Sequence, residues 1–288
     1  MTDRTCAITG ANGLIGQAAC RRFQMLGWRV IALVRKPRLA PDDYEARAFT
    51  LGEPLSQNLL ADVNVLVHTA YDFSLRAWAD ICRINVVGSD YLFDAATRAG
   101  VKRQIFISSM AAFEGCRSNY GLSKLATEDA VRVRGGVVIR PGLVYGGSNN
   151  GLTAKIASLA RSSSIIPMIG TGRYPLYTCY IDDLCALIVH MAQTERPLGD
   201  VLTAANASPV TLRALVEQMK GAATPSLIFP IPWQLIAAGL WMTEAMGLQL
   251  SFRSDSVISI VHANKAPDFT AVNNMGILFR PFTHESGS

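Results

Sequence analysis

The chain has 288 residues, half of them hydrophobic and 17% charged, with a formal net charge of +5. That composition can fill a large core and excludes an intrinsically disordered chain, and the length suits one sizeable α/β domain with an appended lobe, or two small domains. The lysines and arginines are scattered in ones and twos, so solvated faces and an anionic small-molecule site explain the basic balance better than nucleic acid does.

The N-terminal "MTDRT" leads straight into a strand, "CAITG" at 6–10, without the charged-then-apolar build of a secretory signal. A glycine loop, "TGANGLIG" at 9–16, joins it to a helix over 13–26. Gly10 permits a tight turn, Gly13 lets the backbone approach a pyrophosphate, and Gly16 lets helix and sheet pack closely. The helix start then offers free N–H groups to phosphates. The spacing is G-x-x-G-x-x-G, not the G-x-G-x-x-G of the general dinucleotide fingerprint.

A second strand, "RVIALVR" at 29–35, ends at Arg35, with Lys36 and Arg38 beside it. At the tip of a second strand, an acid would bond the ribose hydroxyls of NAD, whereas an arginine accommodates a 2′-phosphate. Arg35 therefore favours NADP over NAD, the alternative being that it stacks on adenine and admits either.

Further strands are expected at 45–51, 64–70, 104–109 and 136–141, with helices at 74–99 and 119–133. The alternation predicts a Rossmann-type α/β fold, a doubly wound parallel sheet, and the continuous apolar runs fit strands covered on both faces. Beyond Pro141 the rhythm loosens into loops at 145–151 and 162–175. A helix at 180–194 follows, with Asp182 and Asp183 as capping acids in its first turn and Cys185 and His190 as packing residues. "VLTAA" reads as a strand, and 208–222 as a helix started by Ser208 or Thr211. The apolar segment 227–252 is broken by Pro230, Pro232, Gln234 and Glu244 before about 18 apolar residues accumulate. It is expected to be a buried or interface helix, with no transmembrane segment. The six cysteines show no C-x-x-C spacing and no His-rich partner, so reduced thiols of a cytoplasmic protein are expected, without metal or disulfide.

Six motifs occur in order: TGxxGxxG, "HTA" at 68–70, Asn85 in "INVVGSDYLFDAA", "ISS" at 107–109, "YGLSK" at 120–124 and "RPGLVYG" at 140–146. In these the chain resembles the extended short-chain dehydrogenase/reductase family, in its epimerase/dehydratase branch. The resemblance implies Ser109, Tyr120 and Lys124 as the catalytic set, with Asn85 a structural or water-holding part of the relay. It implies cofactor contacts along Gly10, Asn12, Gly13, Leu14, Ile15 and Gly16, at His68 and Ala70, at Ser108, and at Pro141, Gly142 and Val144, besides Tyr120 and Lys124.

The residues themselves supply a rationale. Positions four apart share a helix face, so Tyr120 and Lys124 can enter one pocket. A phenol of ordinary pKa near ~10 is a poor base at neutral pH, and a nearby ammonium or positive nicotinamide would favour phenolate. Ser109 can hold the substrate oxygen while Tyr120 moves the proton.

Two departures from the branch stand out. The "MAAFEGCRSN" loop between Ser109 and Tyr120 is short, so one wall of the pocket should be built differently. Met110 and Ala111 follow Ser109 where sugar-nucleotide dehydratases carry an acid, which disfavours dehydration.

The expected division is an NAD(P)-binding domain of 1–145 plus about 179–205 and a smaller C-terminal substrate lobe of about 146–178 and 206–288. The lobe resembles those that enclose a nucleotide sugar, with Arg173 and Arg253 as candidate diphosphate contacts, and 4-keto reduction or 4-epimerisation is the leading expectation. The alternatives are a carbonyl or hydroxysteroid-type dehydrogenase on an apolar substrate, and a non-catalytic NAD(P)-sensing regulator. A homodimer through the helices at 74–99 and 119–133 is implied by the resemblance.

Overall fold

A computed structural model describes residues 4–37, 44–147, 151–194, 201–220, 227–248, 250 and 252–283. The chain opens with β1 (Thr5–Thr9), α1 (Leu14–Met25), β2 (Arg29–Val34), β3 (Glu45–Ala48) and β4 (Val65–His68). Then α2 (Trp78–Ile81) runs through a π-helical turn at Cys82–Val87 into α3 (Gly88–Arg98). β5 (Arg103–Ile107), α4 (Asn119–Arg132), β6 (Val137–Pro141) and β7 (Leu143–Tyr145) follow. Next come α5 (Leu152–Ser162), β8 (Ile165–Ile169), β9 (Pro175–Leu176), β10 (Thr178–Tyr180) and α6 (Ile181–Gln193). The chain continues with β11 (Val201–Ala204), β12 (Val210–Thr211), α7 (Leu212–Lys220) and β13 (Leu227–Ile231). It ends with α8 (Trp233–Ala245), α9 (Ser254–Val261) and α10 (Thr270–Asn274).

The central sheet has the order β11-β6-β5-β4-β1-β2-β3, and every pairing in it is parallel. Strand order reverses between β1 and β4, which opens a crevice beyond their carboxyl ends. Alternation along the strands divides the core. Cys6 and Ile8 of β1 face the layer of α1 and α6, whereas Ala7 faces Leu92 and Phe93 of α3. A third cluster gathers Tyr145, Ile156, Met168, Leu215 and Phe282 outside those two layers.

Several expectations need correction. The stretch 162–175, read as a loop, contains β8, which pairs in parallel with β13 in the register Ile165↔Leu227. α7 begins at Leu212, where the Thr211 hydroxyl accepts from the Ala214 N–H at 3.1 Å, so Thr211 and not Ser208 starts it. No side chain caps α6, and Asp183 instead forms a fork with the Arg280 guanidinium and accepts from its backbone N–H. Cys185 is buried as expected, but His190 lies on the exposed side of α6. Segment 227–252 is neither wholly helical nor buried. It forms β13 and α8, and α8 buries none of its residues. Its apolar side chains ring the helix on every side, so packing one side against α9 leaves the rest uncovered. Arg38 and residues 148–150 of the 145–151 loop lie outside the described residues. Among the described residues, no helix is long and apolar enough to cross a membrane.

Candidate active site

The loop between β1 and α1 is shaped by its glycines. Gly10 has φ +64°, and a Cβ on Gly16 would stand 2.1 Å from the Gly10 carbonyl oxygen, so only glycine lets the helix start sit this close to the strand end. Asn12 and Gly13 are exposed, no side chain caps α1, and its first turn holds no acid. Free N–H groups with the dipole's positive end behind them suit a pyrophosphate. Leu14, Ile15 and Val144 pack on the adjoining core, and Ala70 packs on the other face. Arg35 follows the last residue of β2 and is exposed, as is Lys36. These residues fit a dinucleotide: a phosphate cradle at the switch point and a cation at the second strand tip.

His68 does not reach this cradle. The ring is fully buried, with Nδ1 2.7 Å from Thr9 Oγ1 and Nε2 2.9 Å from Ser89 Oγ. Ser89 donates its own hydrogen to the Asn85 carbonyl, and Thr9 Oγ1 accepts from the N–H groups of Thr69 and Ala70. The network therefore assigns a neutral ring that donates through Nε2 and accepts at Nδ1. Burial, with Lys124 nearby, pushes its pKa down to about 3. His68, with both ring nitrogens engaged, braces the loop behind the glycines.

Strand β5 ends at Ile107, and Ser108 and Ser109 follow it. Ser108 is buried, and its hydroxyl donates to Glu128, whose carboxylate also takes both arms of the Arg140 guanidinium at 2.8 and 2.6 Å. The Ser108 side chain is thus engaged with Glu128 of α4 rather than free for a cofactor. Ser109 accepts from the Ala111 N–H at 3.1 Å and lies near enough to the Tyr120 phenol to pull its pKa down. Pro141 and Gly142 close this end of the sheet, accepting from Met110 N–H and donating to the Ala204 carbonyl respectively.

Helix α4 carries Tyr120 and Lys124. Ser118 caps it by accepting from the Gly121 N–H. The Lys124 ammonium donates to the Ile107 carbonyl at 2.8 Å and stands 4.6 Å from the Phe106 ring centre and 5.3 Å from that of Tyr71. Burial lowers its pKa to about 7, against the pull of Glu128. Tyr120 moves the other way. Burial pushes its phenol up to about 12, only partly offset by the Ser109 hydrogen bond. The expected lowering of Tyr120 by Lys124 is not found among the protein's own groups, because the ammonium is held at the strand end. At neutral pH Tyr120 is a ready proton donor.

The opposite wall was not foreseen. The segment after β4 is fixed by Asn85, whose side chain accepts from the Asp72 N–H at 2.8 Å and donates to the Asp72 carbonyl at 3.3 Å. Asn85 lies in the π-helical turn and holds the Asp72 backbone. The segment presents Tyr71 and Phe73, whose ring centres lie 5.1 and 5.6 Å from that of Tyr120. Ser123 donates to the Tyr120 carbonyl and accepts from the Tyr71 hydroxyl at 3.0 Å. Arg253 donates to the carbonyls of Phe73 and Leu75, so its guanidinium braces this wall. Its expected diphosphate contact is corrected on that ground. Arg173 is exposed in the loop before β9. Asp255 was also missed. Its carboxylate meets the start of α4, a partnership 135 positions apart that no local spacing signals.

A model of the "NAD dependent epimerase/dehydratase family" matches residues 6–203. Among curated proteins, the chain is 34% identical over 196 residues to the ceramide reductase of Caulobacter vibrioides. That match takes in 65% of this chain and 61% of the relative, so the chain spans less than two thirds of the relative's length. It is 25% identical over 268 residues to the 4-hydroxy-2-methyl-3-oxo-4-farnesyl-3,4-dihydroquinoline-1-oxide ketoreductase of Stigmatella aurantiaca, covering 83% of this chain and 79% of that one. Among solved structures, MoeE5 in complex with UDP-glucuronic acid and NAD superposes with a TM-score of 0.68 at 17% identity, over 89% of this chain and 97% of that one. At that identity the likeness shows the fold.

Proposed function

The chain belongs to the NAD dependent epimerase/dehydratase family, and within it we propose a nicotinamide-dependent ketoreductase that acts on a carbonyl carried by a long apolar molecule. The observation that carries this reading is the apolar α8, which buries none of its residues and whose last turn is tied, through Arg76 to the Glu244 carbonyl, to the segment bearing the Tyr71 and Phe73 rings that pack on Tyr120. Leu235, Trp241, Met242, Met246 and Leu248 are all more than half exposed there. Arg253, one of the two candidate diphosphate contacts, is engaged with backbone carbonyls. The names of the two curated relatives, reductases of ceramide and of a farnesyl-bearing quinoline oxide, support the same class.

A nicotinamide cofactor held by the glycine loop and Arg35 would supply the hydride for the carbonyl carbon. Ser109 holds the carbonyl oxygen, and Tyr120 releases its phenolic proton to that oxygen as the C–H bond forms and the C=O π pair moves onto oxygen. A phenol with a pKa near 12 is protonated throughout the neutral range and suits the reductive direction. Lys124 keeps a positive charge or its neutral amine one turn along the same helix face, near the end of β5. Arg35 at the tip of β2 supports NADP over NAD.

The test is isotopic. Protein supplied with nicotinamide-deuterated NADPH and a long-chain 3-oxoacyl lipid should give an alcohol carrying one deuterium at the former carbonyl carbon, and Tyr120→Phe should not.

A second reading, reduction or 4-epimerisation of a nucleotide sugar, is favoured by the exposed Arg173. It requires turnover on a UDP- or dTDP-sugar panel and its loss in Arg173→Ala. The presence of Ser109, Tyr120 and Lys124 together speaks against a cofactor-sensing regulator. Val87, Tyr91 and Leu122, exposed on the outer helices, support the homodimer, and the free cysteines support a cytoplasmic setting.

A further inference from the structure

We propose that Asp255 is a positioning residue for Tyr120, through which the C-terminal lobe holds the first turn of α4 in register with Ser109. Its Oδ1 accepts from the Asn119 N–H at 2.8 Å, and its Oδ2 accepts from the Tyr120 N–H at 3.0 Å. The Ser118 hydroxyl takes the next N–H, that of Gly121. The first three orphan donors of α4 are therefore all satisfied, two of them by a side chain 135 or more positions away. Two oxygens on two successive N–H groups fix the rotation of the helix start as well as its position, and the negative charge lies where the dipole favours it.

Asp255 does not act alone. Two residues earlier, Arg253 donates to Phe73 and Leu75 on the facing wall. Glu244, in the last turn of α8, accepts from the N–H and the hydroxyl of Ser254 at 2.9 Å each. The segment Arg253–Asp255 thus joins the start of α4, the Phe73–Leu75 backbone and the last turn of α8. This role is independent of which carbonyl the cleft receives.

Full-length protein labelled with 3-fluorotyrosine tests it, the Tyr120 resonance being the one lost in Tyr120→Phe. In Asp255→Asn that resonance is expected to shift or split. Amide exchange over 118–122 should accelerate about tenfold, the scale of a lost hydrogen bond to a charged group. The Kd for NADPH should stay within about twofold of the parent value. With a ketone that is turned over, kcat should fall about tenfold while KM changes less than about twofold. Neither the resonance nor the exchange rate requires turnover, so both can fail or succeed apart from the substrate reading. If Asp255→Asn does not fold, Asp255→Glu, which displaces the carboxylate by one methylene, must still move the Tyr120 resonance. An unmoved resonance with unchanged exchange overturns the proposal. So does a shift spread over the resonances of all eight tyrosines, which would mark general loosening.

Discussion

The Lys124 ammonium donates to the Ile107 carbonyl at 2.8 Å and so ties the second turn of α4 to the end of the strand that delivers Ser109. A buried cation whose pKa is lowered to about 7 costs the fold more than it returns. Lys124→Met should therefore keep or raise Tm while lowering kcat by roughly 100-fold or more. A Tm that drops by several degrees would show that Lys124 serves stability.

Tyr120 and its pH dependence follow from burial. With its phenol pushed up to about 12, the reductive kcat/KM should show no ionisation of Tyr120 below about pH 9. The reverse oxidation, which needs phenolate, should climb about tenfold per pH unit over the neutral range. Measuring both profiles on one substrate pair decides the matter. A Tyr120 limb near pH 7 in both directions would mean that the bound cofactor lowers this group strongly.

His68 sets an acid limit on stability. Its folded pKa is pushed down to about 3 from an ordinary 6.5, because the buried ring cannot take a second proton without losing the Thr9 donor bond. Between those values the unfolded chain binds the extra proton and the folded chain does not, so stability is lost as pH falls from 6.5 toward 3. The slope from this group reaches about 1.4 kcal/mol per pH unit. Urea unfolding of the parent and of His68→Gln across that window should give the parent the steeper acid loss. Parallel curves would contradict the buried neutral ring.

The proposed preference for NADP rests on Arg35 at the tip of β2. Arg35→Asp should raise the Kd ratio of NADPH to NADH by about tenfold or more, the scale of one charge-assisted hydrogen bond to a phosphate. A ratio unchanged by the substitution would reduce Arg35 to a stacking residue.

The central sheet was legible because β1, β2, β4, β5 and β6 are continuous apolar runs separated by glycines and helix-length segments, and each was found within about two residues of its expected ends. Ser109, Tyr120 and the glycine loop were legible because their geometry is local: a strand end, a helix face, a turn. The Ser108 hydroxyl, expected at the cofactor, instead donates to Glu128, a partner twenty positions on that the strand pattern does not signal. What stayed hidden depends on distant partners. β8 is a strand only because β13 pairs with it, and Arg253 and Asp255 gain their roles from carbonyls and N–H groups more than 130 positions away. The exposure of α8 was hidden for a related reason, since its sequence is apolar on every side and carries no sign of which side meets α9.

In the proposed function Tyr120 protonates the carbonyl of an apolar ketone. The most direct measurement is kcat/KM with NADPH over a series of 3-oxoacyl amides of rising chain length, with UDP-glucose and dTDP-glucose as comparators and Tyr120→Phe as the blank. The account expects kcat/KM to rise by up to about fourfold per added methylene until the chain outgrows the apolar surface, as burial of about 0.8 kcal/mol per methylene allows. Activity on the nucleotide sugars alone, or a rate indifferent to chain length, would contradict it.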